Sequence, residues 1–90
     1  MTKALISVMG KDTTGIIARV ATRLSEMHIN ILDITQTILD GYFTMMMVVD
    51  LDGANMEFTA VDEGLQQVRD SLGMTIHIQR MEIFDAMHRI

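Results

Sequence analysis

The fold is decided by residues 30–50, which read NILDITQTILDGYFTMMMVVD. Residues 30–39 alternate between apolar and polar side chains, the pattern of a β-strand with one buried face. Asp40-Gly41 then separates two strand-like runs, and this dipeptide is the strongest short-range signal for a hairpin. Tyr42–Leu51 is apolar on both faces, which predicts a strand in the middle of its sheet. One face of the first strand is predicted to carry Leu32, Ile34, Gln36 and Ile38.

The residues before the hairpin predict one strand and one helix. Ala4–Met9 is an apolar run of strand length, and we expect Gly10 to end it. Gly15–His28 carries apolar side chains at helical spacing, with polar side chains on the opposite side. Asp12 or Thr13 is available to cap the first amides of this helix.

The residues after the hairpin predict a second helix and a fourth strand. Residues 58–72 have apolar side chains at helical spacing, and Gly73 follows as a C-terminal cap. Residues 74–79 alternate as a strand, and a change of phase near Arg80 predicts a β-bulge there. The order β-α-β-β-α-β predicts a ferredoxin-like α+β sandwich: a four-stranded antiparallel sheet with two helices on one face. We expect a single domain over residues 1–90.

Composition excludes several classes of protein. The chain has 90 residues, of which 49% are hydrophobic, and a net charge of −5. No apolar run reaches the roughly 18 residues of a membrane span, and the acidic balance argues against nucleic acid as a partner. Because the chain contains no cysteine, thiol chemistry and disulfides are excluded, and we expect a cytoplasmic location.

No arrangement of side chains predicts an enzyme. The serines have no nearby His–Asp arrangement, and the carboxylates are spaced as solvated groups. An acylphosphatase, which shares this topology, needs an arginine in its first loop, where this chain has only Lys11. An RNA-recognition sheet needs aromatic side chains on its open face, whereas the alternation directs Phe43 toward the helices. We therefore expect neither catalysis nor a cofactor.

The loop of residues 10–15 is the first candidate site. Free amides at a helix start attract anions, and glycine lets a ligand approach the backbone closely. A ligand carboxylate would suit these amides, and an ammonium group would suit Asp12. The alternative is that Asp12 and the neighbouring threonines only cap the helix. The loop lacks the Gly-Lys-Ser/Thr ending of a Walker phosphate loop.

Asn30 is the second candidate, placed where the first helix turns into the second strand. In this fold Asn30 and Asp12 lie at opposite ends of the helix, so a shared site forms more readily between two subunits. The alternative is that Asn30 is only a turn residue at the helix end.

The histidines leave a metal site as a further alternative. His28, His77 and His88 include no pair four residues apart on a helix, and His28 suits the negative end of the helix dipole. A metal would need His77 or His88 to meet its counterpart across a subunit interface.

The sheet face away from the helices is apolar in the sequence. The alternation places Leu5, Met9, Met46 and Val48 on it. A lone subunit would expose this surface to water, so we expect a homo-oligomer, most simply a homodimer.

Two motifs resemble those of the ACT domain family. The first is Gly10-Lys11-Asp12-x-x-Gly15-Ile16, a strand end followed by a D-x-x-G-I/L helix start. The second is LSEMHINI at residues 24–31, which is similar to the "GINI"-like entry to strand two. The resemblance covers the whole chain, and residues 30–50 and 83–90 are closest to small stand-alone bacterial and archaeal ACT-domain proteins.

The resemblance implies a non-catalytic regulatory domain that binds a small molecule, most simply an amino acid, between paired subunits and acts on a separate protein. The ligand residues that it implies are Asp12, Thr13, Thr14, Gly15, Ile16, Asn30 and Ile31. Thr14 replaces the family's common proline, and the histidine found near Gly10 in serine-binding members is absent. Serine specificity therefore does not carry over. A protein-interaction module without a ligand and a metal-sensing domain remain the alternatives.

Overall fold

The fold is a four-stranded antiparallel sheet with two helices on one face, as predicted. The computed structural model describes residues 2–11 and 14–81. Its elements are β1 (Lys3–Lys11), α1 (Ile16–Glu26), β2 (Asn30–Leu39), β3 (Tyr42–Asp50), α2 (Phe58–Leu72) and β4 (Thr75–Arg80). The strand order is β2-β3-β1-β4, and each neighbouring pair is antiparallel. The predicted central position of β3 is therefore confirmed, and β1 is the other central strand.

The core lies between the sheet and the helices. The apolar stripe of each helix packs against alternate side chains of the central strands, as their spacing predicted. The helices contribute Ile16, Val20, Leu24, Val61, Leu65 and Val68, and the central strands contribute Ala4, Ile6, Val8, Phe43, Met45, Met47 and Val49. No helix in the described part of the chain has the length and hydropathy that a membrane crossing requires.

The hairpin between β2 and β3 is built as its sequence indicated. Asp40 and Gly41 both have positive φ, at 52° and 79°, the backbone of a type I′ turn. The twist of this turn matches the twist of the flanking strands, so residues 39 and 42 pair directly. The turn therefore sets which residues of β2 lie opposite which residues of β3.

Gly10 does not end β1, contrary to the prediction. The strand continues through Gly10, opposite Phe43, to Lys11. A Cβ atom at Gly10 would lie 3.0 Å from Cγ of Met74. The glycine is therefore a point of close packing inside the strand, where the buried Met74 side chain occupies the space that a larger residue would need.

The β-bulge lies in β2 and not near Arg80, where it was predicted. Ile31 pairs with Val49 and Asp33 with Val48, so Leu32 is the extra residue. β4 pairs regularly with β1 and ends at Arg80, because residue 81 is already helical. The bulge also changes the predicted faces: Ile34, Gln36 and Ile38 share the helix side of the sheet, without Leu32.

Candidate functional site

The start of α1 has backbone amides that make no hydrogen bond with any residue in the described part of the chain. Its N-cap is Gly15, which has φ 83° and no side chain. The first helical hydrogen bond runs from the amide of Arg19 to the carbonyl oxygen of Gly15, over 3.0 Å. Within residues 2–11 and 14–81, the amides of Ile16, Ile17 and Ala18 therefore have no hydrogen-bond partner. The first turn of α1 itself contains no acidic side chain, so no carboxylate within the helix lies at the positive end of its dipole.

A groove lies directly beside these amides. Gly15 to Ala18 form one wall of it, and residues 36–38 of β2 with Phe43 form the other. Its volume is about 460 Å³, within the range of small-molecule sites. The groove therefore combines an apolar lining with the amide end of a helix, an arrangement suited to a small ligand that carries a negative charge.

The structure separates the predicted site residues into two groups. Gly15 and Ile16 line the groove at the start of α1, and Thr14 is exposed just before them. Asn30 and Ile31 line a different, shallow depression at the other end of the helix. A helix of 11 residues is about 16 Å long, so one subunit does not bring the two groups together. Asp12 and Thr13 lie outside the described residues, as does their predicted capping role.

The end of α1 fixes where Asn30 stands. The amide of His28 donates to the carbonyl oxygen of Ser25, and that of Ile29 donates to Leu24. This is the Schellman pattern, with His28 in the left-handed conformation at φ 58°. The turn residue is thus His28, and the alternative assignment of Asn30 to that role is wrong. Asn30 is the exposed first residue of β2.

The sequence did not indicate that β2 forms a wall of the groove. Gln36, Thr37 and Ile38 line it because β2 is an edge strand and extends beyond the cover of the helices. Ile38 points to the helix side and is still 59% exposed. The available signal was Gln36, a polar residue on the otherwise apolar face of the predicted strand.

The described residues offer no metal site, and their one carboxyl group with a shifted pKa lies away from the groove. The described residues contain no group of three histidine or acidic side chains close enough to hold a metal ion. His77 is exposed on the sheet face away from the helices, and His88 lies outside the described residues. The amide of Thr2 donates to Asp52 over 2.9 Å and lowers the pKa of that carboxyl group. This contact ties the start of β1 to the loop after β3.

The comparison with a family model decides the classification. The model of the ACT domain matches residues 2–79. The chain belongs to the ACT domain family. This ACT domain is 54% identical to a UPF0237 protein of Bifidobacterium longum over 90 residues, the whole of both chains. The family assignment made from the two motifs is therefore confirmed.

Solved structures agree with this assignment. An ACT domain protein from Streptococcus pneumoniae superposes with a TM-score of 0.82 at 43% identity, covering 92% of this chain and 93% of that one. The regulatory subunit of aspartate kinase from Thermus thermophilus superposes with a TM-score of 0.69 at 25% identity, covering 87% of this chain and 50% of that one. ACT domains are typically regulatory domains that bind small ligands such as amino acids.

Proposed function

We propose that this ACT domain is a non-catalytic regulatory module that binds an amino acid between two subunits. The observation that carries the proposal is the groove of about 460 Å³, which lies between the start of α1 and an exposed edge strand. Membership of a family of regulatory domains supports the same function, as does the similarity to a regulatory subunit of aspartate kinase.

The chemistry of the groove fits an α-amino acid. The amides of Ile16 and Ile17 would donate hydrogen bonds to the carboxylate of the ligand, where the helix dipole is positive. The apolar surface of Ile17 and Ile38 would hold the ligand's side chain. Its ammonium group needs a carboxylate or carbonyl oxygen, and Asp12 and Asn30 are the residues we assign to that role.

Pairing of two β2 strands would bring Asn30 beside this groove. Among the strands of residues 2–11 and 14–81, β2 pairs only with β3 and is therefore an edge strand, and residues 32–39 are all exposed. In an antiparallel pair centred on the strand, Asn30 of one subunit lies opposite Leu39 of the other. Leu39 directly follows Ile38, a wall of the groove. Each of the two equivalent sites would then combine α1 of one subunit with Asn30 of its neighbour.

The exposed surface of β2 supports such a dimer. Ile34, Ile38 and Leu39 are 40%, 59% and 75% exposed, which is unfavourable for an isolated edge strand. Asp33 is the only charged residue of β2, and the strand contains no lysine or proline to oppose pairing. A homodimer would therefore cover this edge, and a change in the dimer on ligand binding is the signal that a separate regulated protein would receive.

The experiment is a calorimetric titration of the purified chain with each of the twenty amino acids. At least one should bind, and Ile38→Glu should abolish its binding, because a carboxylate in the groove repels that of the ligand. Met56→Glu is the matched control, since Met56 is 38% exposed and does not line the groove. Absence of binding by all twenty, or unchanged binding by Ile38→Glu, would contradict the proposal.

A further inference from the structure

The sheet has a second exposed surface, on the side that the helices leave uncovered. We call it the open face, and its centre consists of alternate residues of β1 and β3, Leu5 to Met9 and Thr44 to Val48. Met9 is 55% exposed and Met46 is 43% exposed. Polar residues of β2 and β4 border this apolar centre, among them Thr35 and His77. An apolar centre with a polar rim is the usual anatomy of a protein interface.

The pairing of β1 with β3 makes the open face complementary to itself. Three cross-strand pairs on this face differ in size or charge, Lys3 with Asp50, Ser7 with Met46 and Met9 with Thr44, whereas Leu5 and Val48 are both apolar. A two-fold axis that runs along the seam between β1 and β3 places β1 of one copy over β3 of the other. Each residue then faces the second copy of its own cross-strand partner.

We infer that the open face binds the open face of a second copy of this chain, about this axis. Met46 of each subunit then packs over Ser7 of the other, and Met9 packs over Thr44, so that each large side chain meets a small one. At the end of the seam, Lys3 faces Asp50 with opposite charge. The strands of the two sheets are aligned in this arrangement, which is a standard way for sheets to pack about 10 Å apart.

The outer strands and the area are consistent with this partner. The axis brings β2 of one copy over β4 of the other. Thr35 of one copy then faces His77 of the other, so polar side chains meet polar side chains. The strands have 9, 10, 9 and 6 residues. The sheet therefore covers about 19 Å by 28 Å, or about 1,100 Å² over two subunits, just above the roughly 1,000 Å² that a specific interface needs. This surface is separate from the β2 edge, so the two contacts do not compete for the same side chains.

A size-swap experiment tests the register. Ser7 and Met46 form the central pair of the seam, where the match between the sheets depends least on their twist. Met46→Ser should weaken face-to-face association about 100-fold, because two buried methionines are lost per interface. Ser7→Met should also weaken it, since Met46 would then meet a second methionine. The double variant Ser7→Met/Met46→Ser should restore association to within about threefold, because it exchanges the two side chains without changing the composition of the face.

Association is measured by sedimentation equilibrium, with circular dichroism to establish that each variant is folded. Met56→Ser is the matched control, since it removes an exposed methionine outside the open face and should sediment like the wild type. A folded Met46→Ser variant that sediments like the wild type overturns the proposal, as does a double variant as weak as Met46→Ser. Amino-acid binding in the groove should survive Met46→Ser, so loss of this interface is distinguishable from loss of the ligand site.

Discussion

The amide of Ile29 donates a hydrogen bond to the carbonyl oxygen of Leu24 over 2.9 Å, where α1 ends and β2 begins. Both side chains are buried, so this bond closes the helix and at the same time directs the chain back to the sheet. This geometry requires His28, the residue directly before Ile29, to adopt φ 58°. A residue other than glycine is strained in that conformation, because its Cβ atom is crowded there.

His28→Gly should stabilise the domain by about 1 kcal/mol, because glycine adopts positive φ without steric cost. The change should raise Tm by about 4–8 °C, measured by thermal unfolding. His28→Ala is the control, since alanine keeps the Cβ atom that causes the strain and should bring no such gain. An equal gain in both variants would mean that the imidazole, and not the backbone, is unfavourable at this position.

Gly10→Ala should destabilise the domain by about 1–2 kcal/mol, although alanine is normally the better strand residue. The added Cβ would lie 3.0 Å from Met74 Cγ, inside the packed edge of the core. Urea unfolding of Gly10→Ala, Met74→Ala and the double variant measures the coupling between the two positions. Additive effects in this cycle would show that the two side chains do not compete for one space.

The stability of the domain should fall with acidification partly through Asp52. In the folded state, the hydrogen bond from the Thr2 amide lowers the pKa of the Asp52 carboxyl group below its ordinary value of 3.8. A depressed folded pKa gives stability that is present above the unfolded value and is lost as the pH falls through the folded one. Asp52→Asn should therefore lose less stability than the wild type below about pH 4, measured by denaturant titration at each pH. Glu63→Gln, which removes an exposed charge on α2, should lose as much as the wild type.

Local patterns were sufficient to predict most of the fold. The Asp40-Gly41 turn and the helical spacing of residues 58–72 each depend on residues near in sequence, and both predictions are confirmed. The errors arose where distant residues decide the outcome. Gly10 continues its strand because Met74 fills the space beside it, and the extra residue at Leu32 is visible only once β2 is paired with β3.

The candidate site was predicted in part for the same reason. The helix start at Gly15 and Ile16 has a local signature, and it does border a groove. The second wall, at Gln36 to Ile38, depends on β2 being the uncovered edge of the sheet, which is a property of strand order. The predicted separation concerned Asp12, which lies outside the described residues, but Gly15 at the end of the same loop does lie at the opposite end of α1 from Asn30.

The final prediction concerns how Asp12 and Asn30 share the ligand. Asp12→Ala and Asn30→Ala should each weaken amino-acid binding, Asp12→Ala by about ten- to a hundred-fold, because a charged hydrogen bond contributes about 1.5–3 kcal/mol.

If β2 pairing forms the site, each site takes Asp12 from one subunit and Asn30 from the other. A heterodimer of the two variants then contains one site with both residues intact and one site with neither. Calorimetry of this heterodimer, isolated with two different affinity tags, should give near wild-type affinity at one site per dimer. If both residues served the ligand from the same subunit, every site in the heterodimer would carry one substitution and no wild-type site would be recovered. Wild-type affinity of Asp12→Ala with a lower Tm would instead assign Asp12 to capping the helix.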